Sequence, residues 1–441
     1  LPDPPAAIRA FQRVLGHDPD DEEALERLAD LGIATADWRM ALGACERLVK
    51  NETVPARKVA HLHRVGRIFA EGFGDRRRAE RAYQLAVDAA PDSDLALGAL
   101  IKFYEDAGDA ASIRVHLGMV AAAMRQRIAQ QLDGGSFRVL ARVARARHDA
   151  GVPGQGAVNR NAVDIARMCG TDVGDAVPPA PIHLGGLLRP EADEVLWPAA
   201  ITPELRQIFT LLGDRLAKHV GIDLRPYGVT RGDRLRARDN PVAAVAQSVA
   251  TGLGFGEIDV YISARQPWVM VAEPTSPVSL VLGNAIAGAG GDAIRFATGA
   301  ALKLAQAQLA IPARLPVDDL GVLVVALLRL FQPEFPIVEV DAEAVAAQAQ
   351  KLRRLVPTSL MNELRPFALA IDAQRFRHTE LARDLRVCGL RAGLVASGSL
   401  LAGLRILSAQ AGAELPAYVA DPVARGLVAF ALSEDHAVVA R

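Results

Sequence analysis

Ala41-Leu-Gly-Ala-Cys-Glu-Arg-Leu48 and Ala79-Glu-Arg-Ala-Tyr-Gln-Leu-Ala86 carry one pattern: a small residue, a larger one four positions on, and an apolar one three further. Ala7, Phe11 and Val14 show it upstream; Ile113, Leu117 and Val120 show it downstream. Spacings of four and three put each trio on one face of a helix. The four starts are separated by 34, 38 and 34 residues. Ahead of the last three trios runs a second amphipathic helix, carried by Leu25, Leu28, Ala29; Leu62, Val65, Gly66; and Leu97, Leu100, Ile101. Turn signals fall between the paired helices, at Ala36-Asp37, Gly74-Asp75 and Gly108-Asp109, and Pro19 and Pro91 follow two trios at the same offset. One helix pair cannot bury its apolar face alone, so a period of this length implies pairs stacked into a solenoid.

Residues 5–130 resemble the tetratricopeptide repeat through that period and those trios. The resemblance implies an N-terminal α-solenoid whose concave face takes up peptides or helices of other proteins. One connection is about four residues too long for the family, and the first repeat shows only its second helix, so further sequence upstream is expected. Beyond residue 120, Ala121–Leu132, Ser136–Ala150 and Asn161–Met168 read as separate amphipathic helices extending or capping the stack. Arg138, Arg142, Arg145 and Arg147 fall near helical spacing and read either as a solvated face or as a groove for an acidic partner. His61 and His63 point to different faces of one helix, an arrangement suited to flanking a core and not to holding a metal.

Composition bounds the function. The chain has 441 residues, of which 51% are hydrophobic and 23% charged, so it can build ample core and is not disordered. Lys+Arg at 50 against Asp+Glu at 51 leaves a net charge of -1, without the basic excess a duplex nucleic-acid binder needs. Three cysteines give neither a disulfide framework nor a paired-cysteine zinc site, which suits a reducing compartment, the cytoplasm. The best apolar stretch, Gly321–Leu328, has under half the roughly 20 residues of a membrane span. The opening Leu1-Pro2-Asp3-Pro4-Pro5 has neither the basic start nor the apolar core of a signal peptide.

Residues 170–182 are rich in Gly and Pro and lack periodicity, so the domain boundary is expected there, between a solenoid over residues 1–169 and a second domain over 183–441. In that domain Thr202-Pro203-Glu204 and Asn240-Pro241 carry helix-start signals. Residues 257–263, 268–272 and 278–282 read as strands of a small sheet. Helices are then expected over about 292–309, 317–331, 342–355, 359–370, 377–396, 399–411 and 421–439. The fold class is mainly α, a solenoid plus an α+β domain.

Two stretches of the second domain carry a resemblance. Ala293-Ile-Arg-Phe-Ala-Thr-Gly-Ala-Ala-Leu-Lys-Leu304, and Glu380 with Asp384 followed by Gly389-Leu390, look like the core of HExxH zinc metallopeptidases of the HtpX and BepA type. Ile294, Arg295, Phe296 and Gly299 match the lead-in to that family's active helix, and Glu380 and Asp384 match its ExxxD. The resemblance implies a degenerate zincin-like fold over about residues 190–441. Its chemistry needs two histidines one turn apart, a third ligand and a glutamate to activate zinc-bound water. Ala300 and Leu304 stand where the histidines would be, and Ala301 where the glutamate would be. Only Glu380, in the third-ligand place, survives, and one carboxylate does not hold zinc. The resemblance therefore implies no metal, no cofactor and no catalytic residue. It also implies that Ala300 and Leu304 face a partly buried Glu380 neutralised by Lys303, Arg383 or Arg386. Glu380 with Asp384 reads as a structural ion pair or cap, with a cryptic acid/base pair or a metal remnant with His378 as the other readings.

The remaining signals are weaker. Gly283–Gly291 could cradle a phosphate but has no Lys-Ser/Thr, and reads better as a flexible loop. No GxSxG elbow occurs, and Cys388 reads as a packed small hydrophobe. The expected function is a non-enzymatic scaffold or adaptor for protein partners, using the repeat groove and the old substrate cleft. The alternatives are a structural subunit of a large secretion or motility machine, or a hydrolase with an unrecognised site.

Overall fold

The structure, a computed structural model, describes residues 3–180, 184, 187 and 190–439. Pro181, Ile182 and His183, at the end of the expected linker and the start of the expected second domain, lie outside the described residues. Contacts divide the chain into two units, Leu1–Ile128 with Asp133–Val152, and Ala129–Leu132 with Pro153–Arg441.

The first unit is helical: α1 Pro4–His17, α2 Glu22–Ala34, α3 Trp38–Asn51, α4 Pro55–Arg67, α5 Arg76–Ala89, α6 Asp94–Asp106, α7 Ala110–Gln130 and α8 Gly134–Asp149. Each of α1 to α5 packs on the next, as does α5 on α6. An aspartate, Asp3, Asp37, Asp75 or Asp109, starts α1, α3, α5 and α7 by accepting the N–H three residues on. These caps satisfy donors that the helix itself leaves orphaned. They recur at the sequence period, so Ala7, Ala41, Ala79 and Ile113 occupy the same place in their helices. Ala41, Ala79 and Ile113 are buried, whereas Ala7 is half-buried. The helices of a pair pack closely because a Cβ on Gly32 would stand 2.8 Å from the Cβ of Ala41. The longer connection of the period is a π-helical turn, Ile68–Gly72, added to the end of α4. Residues 121–130 do not form a separate helix; they continue α7.

The second unit starts earlier than expected. It contains α9 Gln155–Met168, then α10 Pro190–Leu196, α11 Pro203–Val220 and α12 Pro241–Gly252. The sequence assigned α9 to the solenoid. Instead Gln155 Nε2 donates to Glu434 Oε2 (3.1 Å) and Asn161 Nδ2 to the Ala431 carbonyl (3.2 Å), tying α9 to the end of the chain. Residues 171–180 have no helix or strand, as a linker would, but they are strapped to α9. The Val177 N–H donates to Asn159 Oδ1 (2.8 Å), Arg160 Nη1 donates to the Pro178 carbonyl (3.2 Å), and Val173 and Val177 are buried.

The sheet follows, with β1 Asp259–Ser263, β2 Met270–Glu273 and β3 Ser279–Gly283. β3 is central, parallel to β1 and antiparallel to β2, so β2 is an edge strand. One face of the sheet packs Tyr261 and Val281 on Val229. The chain continues through α13 Asn284–Gly288, α14 Gly291–Gln306, α15 Ala310–Arg314, α16 Val317–Arg329, α17 Ala342–Leu355, α18 Thr358–Ala370, α19 His378–Ser397, α20 Leu400–Gln410, α21 Leu415–Tyr418, α22 Pro422–Ala431 and α23 Glu434–Val439. The Gly-rich stretch 283–291 is thus not wholly a loop, since it holds α13. The single helix expected over 421–439 is two, because Ser433 Oγ accepts the His436 N–H (3.1 Å) and starts a new one. α14 lies against β2 and β3 and packs along α19. A Cβ on Gly299 would stand 2.3 Å from the Cβ of Ala396, and one on Gly393 would stand 2.6 Å from the Phe296 carbonyl oxygen. Small residues on both helices permit this approach.

Candidate functional site

β2, α14, α15 and α19 enclose a cavity of about 710 Å³. That volume lies within the usual range of small-ligand and peptide side-chain sites. Ala300, Ala301 and Leu304 of α14 form one wall, and Ala382, Arg386, Gly389 and Leu390 of α19 another. Spacings of three and four bring each set onto one helical face. Val269, Met270, Val271 and Ala272 all border the cavity. Consecutive residues alternate between the faces of a strand, so a cavity touching all four runs along the strand's edge.

The hydrogen-bond register shows what that edge offers. The Gly283 N–H donates to the Val269 carbonyl (2.8 Å), which makes Val269/Gly283, Val271/Val281 and Glu273/Ser279 the hydrogen-bonded pairs. The main-chain N–H and C=O groups of Met270 and Ala272, between them, point away from β3; Met270 is half-buried and Ala272 is buried beside the cavity. Just ahead of them the Trp268 carbonyl accepts from Gln410 Nε2 (2.8 Å).

The polar groups gather at the margins. Arg314, at the end of α15, donates through Nη1 to Glu273 Oε1 (3.0 Å) and through Nη2 to the Gly221 carbonyl (2.7 Å). The Tyr227 hydroxyl donates to the same Glu273 oxygen (3.1 Å). Glu273 is fully buried; burial pushes its carboxyl above the usual range, against the pull of Arg314 and Tyr227. Burial and the nearby Glu273 push Tyr227 up to about 12. Arg314 and Tyr227 border the cavity, and Glu273 holds both in place from behind. The remaining wall is apolar apart from Gln266, Gln410 and Arg386.

The residues singled out in the sequence divide sharply. Ala300, Ala301 and Leu304 of α14 line the cavity, and Ala300 and Leu304 pack on α19 at Gly389 and Gly393. Glu380 does not meet them. It is exposed, in the first turn of α19, whereas Ala300 and Leu304 pack at Gly389, nine residues further along, or about 13 Å of helix. Glu380 and Asp384 also sit on a different stripe from Ala382 and Arg386, since two residues turn a helix by about 200°. Asp384, one turn on, is buried; its Oδ2 accepts the Ala200 N–H (3.0 Å) and its Oδ1 pairs with Arg383 (3.0 Å). This is a structural tie and not a pair with Glu380. Lys303 is buried on another face of α14, where it donates to the Leu187 carbonyl (2.8 Å) and Gln306 Oε1 (3.1 Å). His378 is buried against Gly321.

Elsewhere, Arg138 and Arg142 pair with Asp94, and Arg145 with Asp149, so these arginines are met within the chain. Arg147 and Cys388 are buried. His61 is buried and His63 stacks near Tyr83, with ring centres 5.9 Å apart. Among the described residues no group of three or more His, Cys, Asp or Glu side chains could hold a metal ion, and no helix is long and apolar enough to cross a membrane. Sequence reasoning missed the main-chain groups of Met270 and Ala272 that turn away from β3, and the Tyr227–Glu273–Arg314 cluster. The apolar run at 268–272 marked the strand, but nothing in it marks an edge. No known protein family, curated protein or solved structure matches this chain.

Proposed function

We propose that the second unit is a peptide-binding domain, a metallopeptidase-like cleft without its chemistry, and that the chain acts as a non-enzymatic scaffold or adaptor for other proteins. One observation carries this reading: an edge strand turns main-chain groups that β3 does not pair toward a cavity whose opposite wall is alanine and leucine. An extended segment can add beside β2 as a further strand, the recognition mode in which main-chain bonds give affinity and side-chain pockets give selectivity. Methyl and isobutyl groups at 300, 301 and 304 neither move protons nor bind zinc, but they shape an apolar wall. Main-chain bonds contribute about 1 kcal/mol each, and an apolar side chain in the cavity contributes about 2 kcal/mol. Binding is expected in about the micromolar range.

The groove of the first unit, the other surface expected from the sequence, has less behind it, because its arginines at 138, 142 and 145 are already paired. The test is selection of displayed random nonapeptides on the whole chain, followed by binding to an Ala301→Trp variant with the cavity filled. The reading expects uncleaved binders that this variant loses. Binders that hold equally to Ala301→Trp, or that are hydrolysed, contradict it.

A further inference from the structure

Two cations border the cavity, Arg314 and Arg386, and among the described residues no aspartate or glutamate borders it. Arg314 is already answered by the buried Glu273 (3.0 Å) and by the Gly221 carbonyl. Arg386 is exposed, and no carboxylate among the described residues lies within 4.0 Å of it. It lies on α19 on the stripe of Ala382, Gly389 and Leu390, which borders the cavity. Its guanidinium is thus the uncompensated charge of a lining that is otherwise neutral. Such a group beside a low-dielectric wall selects an opposite charge and disfavours a like one.

We infer that the segment seated along β2 is an internal stretch of a partner protein that carries an acidic side chain paired with Arg386, next to an apolar side chain held against Ala300, Ala301 and Leu304. This rests on the peptide-binding reading above and adds the chemistry of the occupant. A carboxylate is the group that matches a guanidinium with two parallel hydrogen bonds. An acidic side chain is favoured over a free chain terminus, because terminal carboxylates are captured by clustered main-chain N–H groups. The main-chain donors of this cleft, at Met270 and Ala272, are instead spaced along a strand, as an uninterrupted segment requires.

The test selects random nonapeptides, displayed with their C-termini fused so that no free terminal carboxylate is offered, on the whole chain and in parallel on Arg386→Glu. The expected result is Asp or Glu at a fixed offset from an apolar residue on the natural chain, replaced by Lys or Arg on Arg386→Glu. Changing the acid to its amide in a synthetic peptide should weaken binding roughly tenfold on the natural chain and leave Arg386→Glu binding no weaker. Peptides that lose binding on N-methylation of alternate amides, yet show no acidic preference or the same preference on both proteins, overturn the inference and leave the cleft reading standing. So do synthetic peptides that bind only with a free C-terminal carboxylate. Peptides indifferent to both N-methylation and Ala301→Trp overturn the cleft reading, and the inference with it. N-methylation and the change of acid to amide alter only the peptide, so these two readouts on the natural chain do not depend on the folding of either variant.

Discussion

In the helical unit the main contacts join neighbours in the chain: α2 packs on α3 and α4 on α5, and the same aspartate cap and small apolar residue recur from pair to pair. In the second unit the central contact joins α14, ending at Gln306, to α19, starting at His378, with four helices and their connections between them. The first arrangement can be read as a pattern in one dimension. The second exists only once the chain has brought Gly299 to Ala396 and Gly393 to Phe296. The same two helices, with β2 and α15, border the cavity. A stack of local contacts makes a regular surface, whereas one close long-range contact can hold a cleft.

The largest expected effects strike these two contacts. Gly299→Val puts side-chain carbon where Ala396 stands, and Ala79→Arg buries a charge in the stack. Each should destabilise its own unit by about 3 kcal/mol or more. Local hydrogen exchange read by mass spectrometry should then rise in 291–306 and 378–397 for the first variant, and in the helices around 76–89 for the second. Exchange that rises equally throughout the chain for both would erase the distinction between the units.

Acid should separate the units as well. His436, buried against Phe430, has its imidazole pushed down to about 4 by burial and then by Arg160. The unfolded chain binds a proton near pH 6.5 that the folded site refuses. This contribution is therefore complete above about pH 6.5 and is lost as pH falls toward 4, amounting to roughly 3 kcal/mol. His436→Leu should flatten the acid limb of the second unit's stability, followed by denaturant unfolding at pH 7 and pH 4.5. An unchanged slope would show that His436 is not the group titrating. In the first unit burial lowers His61 in the same direction.

Smaller changes test the repeat. Removing one cap, Asp37→Ala or Asp75→Ala, should cost about 1 kcal/mol each and similarly, because the two sites are equivalent. Unequal losses would indicate that the caps are alike in sequence but not in role. The smallest effect should be at Glu380, which is exposed. Glu380→Ala should shift stability by no more than about 0.5 kcal/mol. Micromolar zinc should leave melting unchanged in both proteins, since a ligand of the folded state raises stability by mass action.

The same comparison explains what the sequence could tell. Helix existence and the three strands followed from spacing and from β-branched runs, and the cap at Thr202 is made as expected, with Leu205 N–H donating to its hydroxyl (3.3 Å). Ala300, Ala301 and Leu304 were singled out through the metallopeptidase resemblance, and they line the cavity together because they share one helix face. The opposing wall was misplaced. Matching Glu380 and Asp384 chose a stripe of α19 two residues off the one that lines the cavity, and two residues on a helix reverse the direction a side chain points. Residues 170–180 have the composition of a linker, yet Asn159 and Arg160 bind them to α9 through partners that composition does not reveal. The edge of β2 depends on which strand lies beside which, a property of the assembled sheet.

The central claim is that a partner segment lies along β2, and residue-resolved amide hydrogen exchange with and without a selected peptide tests it most directly. In the free protein the Met270 and Ala272 amides have no partner in β3 and should exchange faster than those of Val271 and Glu273, which β3 holds. A bound segment should slow exchange at Met270 and Ala272 by an order of magnitude or more and leave Val271 and Glu273 little changed. Binding that leaves both edge amides as fast as before, or that protects only helices of the first unit, would contradict the account.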